Sequence, residues 1–239
     1  QRMDYSGQFF PDMQPLNVFV VALIAMLVCA AFGTVTGFFI AYLNVPPFIA
    51  TLAMMEIVYG IGLIVTNATP LGGYVEQYTN VSNGKFLGIN YLIWIAIIVA
   101  AITWFIFNMT RHGKYMYAIG GNPQAAEVAG VPVKATLILI YMKAAAMYGL
   151  AGFMLGAKAG GASVQTGYGY EMEAIAACTI GGVSVTGGRG KVSSAIIGVA
   201  VFELLKVALQ YLGMNANAQY IAIGVVIFIA ISLDIRKYI

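Results

Sequence analysis

The sequence predicts an all-α, polytopic membrane protein, and three observations carry that expectation. First, 61% of the 239 residues are hydrophobic and only 9% are charged, with a mean hydropathy of +0.86; a water-soluble globule of this length cannot hide so much apolar surface. Second, the apolar residues fall in runs of about 20, the helical length that crosses a hydrocarbon core of about 30 Å. Third, short polar breaks rich in Pro, Gly and Asn separate the runs, and in lipid a helix satisfies all of its own backbone groups. The bilayer is therefore part of the solvent. A net charge of +3, small and scattered, argues against nucleic acid as a partner.

Taken in order, "QRMDYSGQFFPDM" has no basic segment followed by an apolar one, so it does not read as a signal peptide, and the chain reads as N-terminally incomplete. Val18 to Leu43 is the first apolar run. "NVPP", Asn44 to Pro47, breaks it before a second run from Phe48 to Thr66, giving a helical hairpin. A polar stretch from Asn67 to Asn90 precedes a third span, Tyr91 to Phe107, with Trp94 and Trp104 near its ends as interfacial aromatics. A polar loop from Asn108 to Lys134 leads to a fourth span, Ala135 to Ala157. The short run Met172 to Val185 and two more spans, Val192 to Leu212 and Ala218 to Leu233, complete the count. About seven crossings are expected, in one transmembrane domain covering residues 1–239. Cys29 and Cys178 lie in apolar runs as buried hydrophobes, and no spacing suits a metal or another cofactor.

Cations set the orientation. Arg111, Lys114 and Lys134 flank the 108–134 loop, Arg189 and Lys191 sit in "GGRGK", and Arg236 and Lys237 end the chain, against Arg2, Lys85 and Lys158 in the opposite loops. That bias places the 108–134 loop and the C-terminus in the cytoplasm. It also requires the Met172 to Val185 run to cross, completed by irregular backbone at Gly167, Gly169, Gly181, Gly182, Gly187 and Gly188 rather than as a re-entrant half-helix. The N-terminus then lies outside, and an odd number of helices would precede it if the protein starts inside.

Gly33 and Gly37, and again Gly152, Gly156 and Gly160, have the GxxxG spacing that lets helices approach closely in lipid. Charges at depth are more informative. Glu56 and Lys143 each lie roughly eight residues into their spans, ~12 Å deep, and an intramembrane ion needs a partner, so a Glu56 to Lys143 contact is expected. Glu203 and Lys206, three apart, can satisfy each other locally. All four fit a helix-packing ion pair as well as a transport path. Glu171 and Glu173 read either as groups facing an aqueous vestibule or as an acidic helix start.

Enzyme chemistry is poorly supported. His112, the only histidine, sits beside Arg111 in a loop, where a solvated or headgroup-facing role is expected. "GVSVTG" around Ser184 has Thr186 where a nucleophile elbow has its second Gly, and no histidine at its depth. "GGRGKV" has Val185 and Val192 where a phosphate-binding loop needs Gly and Ser or Thr.

"AIGGNPQAAEVAGVPV" and "YEMEAIAACTIGGVSVTGGRGKV", with "FIAYLNVPPFIATLAMMEIVYGI" and "LKVALQYLGMNANAQYIAIGVVIFIAISLD" in the same order, resemble the permease subunits of the ribose/galactoside class of bacterial ABC sugar importers. The resemblance covers essentially the whole chain and is strongest to the galactose/methyl-galactoside branch. It implies a fold of about ten helices with both ends inside, three of them preceding this chain, an odd number as the charges require. It implies a cytoplasmic coupling loop that docks on an ATP-binding subunit, matched by Gly120 or Gly121, Asn122, Pro123, Ala125, Ala126, Glu127 and Gly130. Without the resemblance "GGNPQAA" is an ordinary capped loop. With it, Asn122 caps a short helix beginning at Pro123, Ala125 and Ala126 form a flat docking face, Glu127 keeps it soluble and Gly130 ends it.

The resemblance further implies two permease copies, a periplasmic sugar-binding protein, and inward movement of a monosaccharide across the inner membrane by alternating access. ATP hydrolysis lies in the separate subunit, so the chain itself is not an enzyme. Galactose or methyl galactoside, ribose and xylose are all open as substrates. Asn44, Thr51, Tyr59, Thr66, Glu171 and Glu173 are candidates to line the path. The sequence departs from the family pattern at Glu56, Lys143, Glu203 and Lys206. The competing class is a self-sufficient ion-coupled transporter or channel, which buried ionisable groups such as Glu56, Glu203 and Lys143 would suit.

Overall fold

The computed structural model describes residues 16–236. In chain order the elements are α1 (Val18–Leu43), α2 (Pro47–Thr66), β1 (Leu71–Gly72), α3 (Glu76–Asn83), β2 (Lys85–Phe86), β3 (Ile89–Asn90), α4 (Tyr91–Met109), α5 (Arg111–Gly121), α6 (Pro123–Val128), α7 (Val133–Ala159), β4 (Gly161–Ala162), α8 (Tyr170–Ile180), α9 (Val192–Tyr211) and α10 (Ala216–Arg236). Among the described residues α1, α2, α4, α7 and α9 are each long and apolar enough to cross a membrane, and α10 carries a shorter apolar stretch, Asn217–Ala230. Arg2 and Lys237, used above for orientation, lie outside the described residues.

The breaks have local causes. Asn44 closes α1 in the left-handed conformation at φ 52°, and Pro47 opens α2 as its first residue, where a missing N–H costs nothing. Asn67 ends α2 in the same left-handed way. α2 and α4 bury no residue, while Phe19 and Ile64 are 85% and 79% exposed. Apolar surface left outward on this scale suits lipid as solvent.

The chain forms two compact units. The first takes the described residues up to Val99 together with Pro132–Gly167, and its frame is α1 packed along α7. A Cβ on Gly33 would strike Tyr141 and Ala145, one on Gly37 would come within 2.8 Å of the Ile138 backbone, and one on Gly149 within 2.6 Å of the Ala25 carbonyl. As α1 numbers rise, their α7 partners fall, so the helices are antiparallel. Of the expected GxxxG positions Gly33 and Gly37 are close contacts. On α7, however, a Cβ on Gly152, or on Gly160 just past the helix end, would meet nothing within 4 Å, although Gly152 continues the stripe of Ala145 and Gly149. Gly156 meets the hydroxyl of Tyr78 on α3.

That hydroxyl donates to the Phe153 carbonyl at 2.6 Å. Burial, with Tyr74 beside it, pushes the Tyr78 phenol up to about 12. Trp94 donates from its indole to Phe86 at 3.2 Å, tying the start of α4 to the β2–β3 hairpin (Lys85↔Asn90, Phe86↔Ile89). β1 pairs with β4 (Leu71↔Ala162) and so fastens the 67–90 connection to the end of α7.

The second unit takes Ala100–Val131 and the residues from Tyr168 onward. Its core is Ala176 and Ala177 of α8, Phe202 of α9 and Ile223 of α10. Small residues bring α8 and α9 together: Cβ atoms on Gly181 and Gly198 would strike the carbonyls of Ser194 and Ala177. The Met172 to Val185 run, expected as a crossing, forms an 11-residue helix. At about 1.5 Å per residue that is roughly 16 Å, half the hydrocarbon thickness. The remainder is Gly-rich backbone with positive φ at Gly182, Gly187, Gly188 and Gly190.

Candidate functional site

The 108–134 segment, expected as a loop, folds as α5 and α6 around one residue. Thr110 starts α5, its hydroxyl accepting from Gly113 N–H at 3.2 Å and donating to Ile106. Gly113 lies so close to the Ile106 and Phe107 carbonyls that a Cβ there would strike them, which lets the chain turn tightly out of α4. Asn122 ends α5 and caps α6, its side-chain oxygen accepting from Ala125 N–H at 2.9 Å. Pro123 is the first residue of α6. Past its end, Val131 N–H donates to Ala126 at 3.0 Å and Gly130 takes φ +83°, a left-handed value that favours glycine.

The cap and terminator match the expectation, but the expected docking face does not. Ala126 is 4% exposed and turned inward. Gln124, Ala125, Glu127 and Val128 are exposed, and Val128 reaches 91%. The outward face is therefore Gln124, Ala125 and Val128, related by the i, i+3 and i, i+4 spacings of one helix side. Sequence reasoning missed Val128 because the phase of a six-residue helix is set by its end bonds, not by its own periodicity. Arg111, Lys114, Arg189 and Lys191 are exposed. His112 is half-buried rather than solvated.

The intramembrane charges pair differently from the expectation. Glu56 is exposed on α2, Lys143 is half-buried on α7, and they form no ion pair with each other. The reason is tertiary: α2 rests on α1, and α1 is also the helix packed along α7. Glu203 does approach Lys206, at 3.4 Å, but the shorter partner is Glu173 on α8 at 2.7 Å. Lys206 also lies 5.9 Å from the centre of the Phe202 ring. One cation thus joins α8 to α9.

The path candidates do not converge on α2. Asn44 serves as the cap of α1, while Thr51 and Thr66 donate to carbonyls of their own helix, Pro47 and Phe48 for one and Gly62 for the other. Thr51 and Thr66 are also about 22 Å apart along the helix axis. Tyr59 is half-buried between them in sequence. Glu171, half-buried, is two residues from Glu173 and so points away from the Lys206 pair.

Comparison with known proteins adds a second line. Residues 5–231 match the family described as branched-chain amino acid transport system / permease component. The chain is 40% identical to the galactose/methyl galactoside import permease protein of Escherichia coli K12, over 100% of this chain and 73% of that protein. The corresponding protein of Haemophilus influenzae gives the same identity and coverage. The ribose import permease protein of Escherichia coli K12 is 35% identical over 93% of this chain and 70% of its own length. No solved structure matches.

Proposed function

We propose, from the premise that the chain belongs to the branched-chain amino acid transport system / permease component family, that α6 is the element through which this permease engages its ATPase. The chain is the membrane permease subunit of an ABC sugar importer, a multi-pass inner-membrane protein whose ATP hydrolysis lies in a separate subunit. The observation that carries the reading is identity to sugar import permeases over the whole chain, joined to a capped helix with an outward apolar tip at Val128.

α5 and α6 face the cytoplasm in this reading, with the C-terminus on the same side, because the exposed cations Arg111, Lys114, Arg189 and Lys191 gather in the second unit around them. Two copies form the translocation path, and a periplasmic binding protein delivers the sugar. Galactose or a methyl galactoside is the preferred cargo, ribose the second, following the order of identity. Glu171 is the acidic group best placed to face that path, since Glu173 is engaged by Lys206. The ion-coupled alternative is weaker, because the likeness to sugar import permeases runs over nearly the whole chain.

Reconstitution in liposomes with the ATP-binding subunit and a periplasmic binding protein tests the function. ATP hydrolysis is expected to rise several-fold with galactose-loaded binding protein, and labelled galactose to accumulate inside. Sugar accumulation driven by a proton gradient without ATP would overturn the reading.

A further inference from the structure

A contact between two backbones ties the carrier of α6 to the α8–α9 connection. Tyr117 and Gly120 lie one turn apart on one face of α5. The Tyr117 hydroxyl donates to the Gly190 carbonyl at 2.8 Å, while its ring packs edge-on against Phe107 at 5.9 Å. At Gly120 a Cβ would strike Gly188 N and come within 2.9 Å of its Cα; from the other side, Cβ atoms on Gly187 and Gly188 would come within 2.9 Å of Gly120 O and 2.7 Å of Gly121 N. No side chain separates the two segments.

The turn itself is internally braced. Ser184 N–H donates to the Arg189 carbonyl at 3.1 Å, Gly187 N–H to the Ser184 carbonyl at 3.3 Å, and the hydroxyls of Ser184 and Thr186 share a 2.8 Å hydrogen bond. Ser184 is only 8% exposed. Positive φ at Gly187, Gly188 and Gly190 leaves little tolerance for other residues. Ordering three such glycines costs more backbone entropy than any other residue type would, and the return is attachment of α5 to the loop that opens α9.

We infer that Tyr117 and Gly120 are positioning residues of transport: they make α5 and the Gly187–Lys191 turn one rigid joint, so that displacement of α6 is delivered to α8 and α9. The inference rests on the reading of α6 as the ATPase-docking helix. Downstream, α8 and α9 are held together by the Gly181 and Gly198 contacts and by Lys206 on Glu173, so a movement entering at the turn is passed along both helices.

Two readouts test it. In reconstituted complexes, Tyr117→Phe is expected to keep co-purified ATP-binding subunit, basal hydrolysis and KM for ATP within twofold of wild type, while binding-protein-stimulated hydrolysis and uptake fall about fivefold. Gly120→Val lowers stimulation about tenfold, and Gly120→Ala falls between. Independently of any ATPase, with the native Cys29 and Cys178 replaced by alanine, spin labels at Val128→Cys and Lys191→Cys are expected to give one narrow distance distribution in the permease, broadened by Tyr117→Phe and by Gly120→Val. Unchanged stimulation and distances in both variants, or loss of basal and stimulated activity in equal proportion, would overturn the joint. If wild-type permease recruits no ATPase, the docking reading has failed, and a distance distribution already broad in wild type removes the joint as well.

Discussion

Val128→Asp is expected to reduce co-purification of the ATP-binding subunit at least tenfold and to abolish uptake, while the permease itself purifies with an unchanged melting temperature. Val128 is 91% exposed at the end of α6, so the permease gains little from its side chain, and the substitution leaves the Asn122 cap and the Ala126–Val131 hydrogen bond in place. Its effect must arise where a partner covers it. Forcing a carboxylate into a desolvated apolar contact costs several kcal/mol, and about 1.4 kcal/mol is already tenfold in affinity. Glu127→Gln, exposed on the same helix, should change assembly less than threefold. A bulky residue at Ala126 would be a poor probe, because that side chain points into the protein and overpacking would disturb the fold before it disturbed docking.

Gly33→Leu should prevent recovery of folded permease. Its side chain would be driven into Ala145 and the Tyr141 carbonyl, at the centre of the α1–α7 contact that frames the first unit. In lipid no hydrophobic force restores a helix pair once its backbones are held apart, and overpacking of about 3 kcal/mol is a large share of a marginal stability. Gly152→Ala has the same chemistry in the neighbouring glycine series but faces open space, so its thermal midpoint should equal or slightly exceed that of wild type. Detergent melts followed by size-exclusion fluorescence separate the two.

The contrast between Gly33 and Gly152 marks the limit of what is legible in sequence. Where lipid dictates run length the reading was sharp: α1, α2, α4, α7 and α9 fall on the expected spans within a few residues, and "NVPP" breaks the chain through an αL Asn44 and a helix-starting Pro47. Asn122 and Gly130 were equally readable, since cap and terminator chemistry acts over a few residues. Facing and partnership were not. Spacing identifies a smooth helix side without saying whether another helix lies against it, as Gly152 illustrates. Lys206 and Glu173 are 33 residues apart and meet because α8 and α9 pack antiparallel, and Glu56 and Lys143 do not meet because α1 is the helix packed along α7. α5 escaped notice because its mix of Gly, Lys, Arg and Tyr is too polar for a span and too short for a clear period.

The most direct test of α6 as the ATPase contact is site-specific photocrosslinking in membranes that contain the assembled transporter. A benzophenone amino acid replaces Val128 in one sample and Leu87, 79% exposed on the connection assigned to the outside, in another. Ultraviolet light should yield an adduct between the permease and the ATP-binding subunit from position 128 and none from position 87. An adduct from position 87, or none from 128 in membranes where the ATP-binding subunit still co-purifies with the permease, would contradict the assignment of α6 as the coupling element.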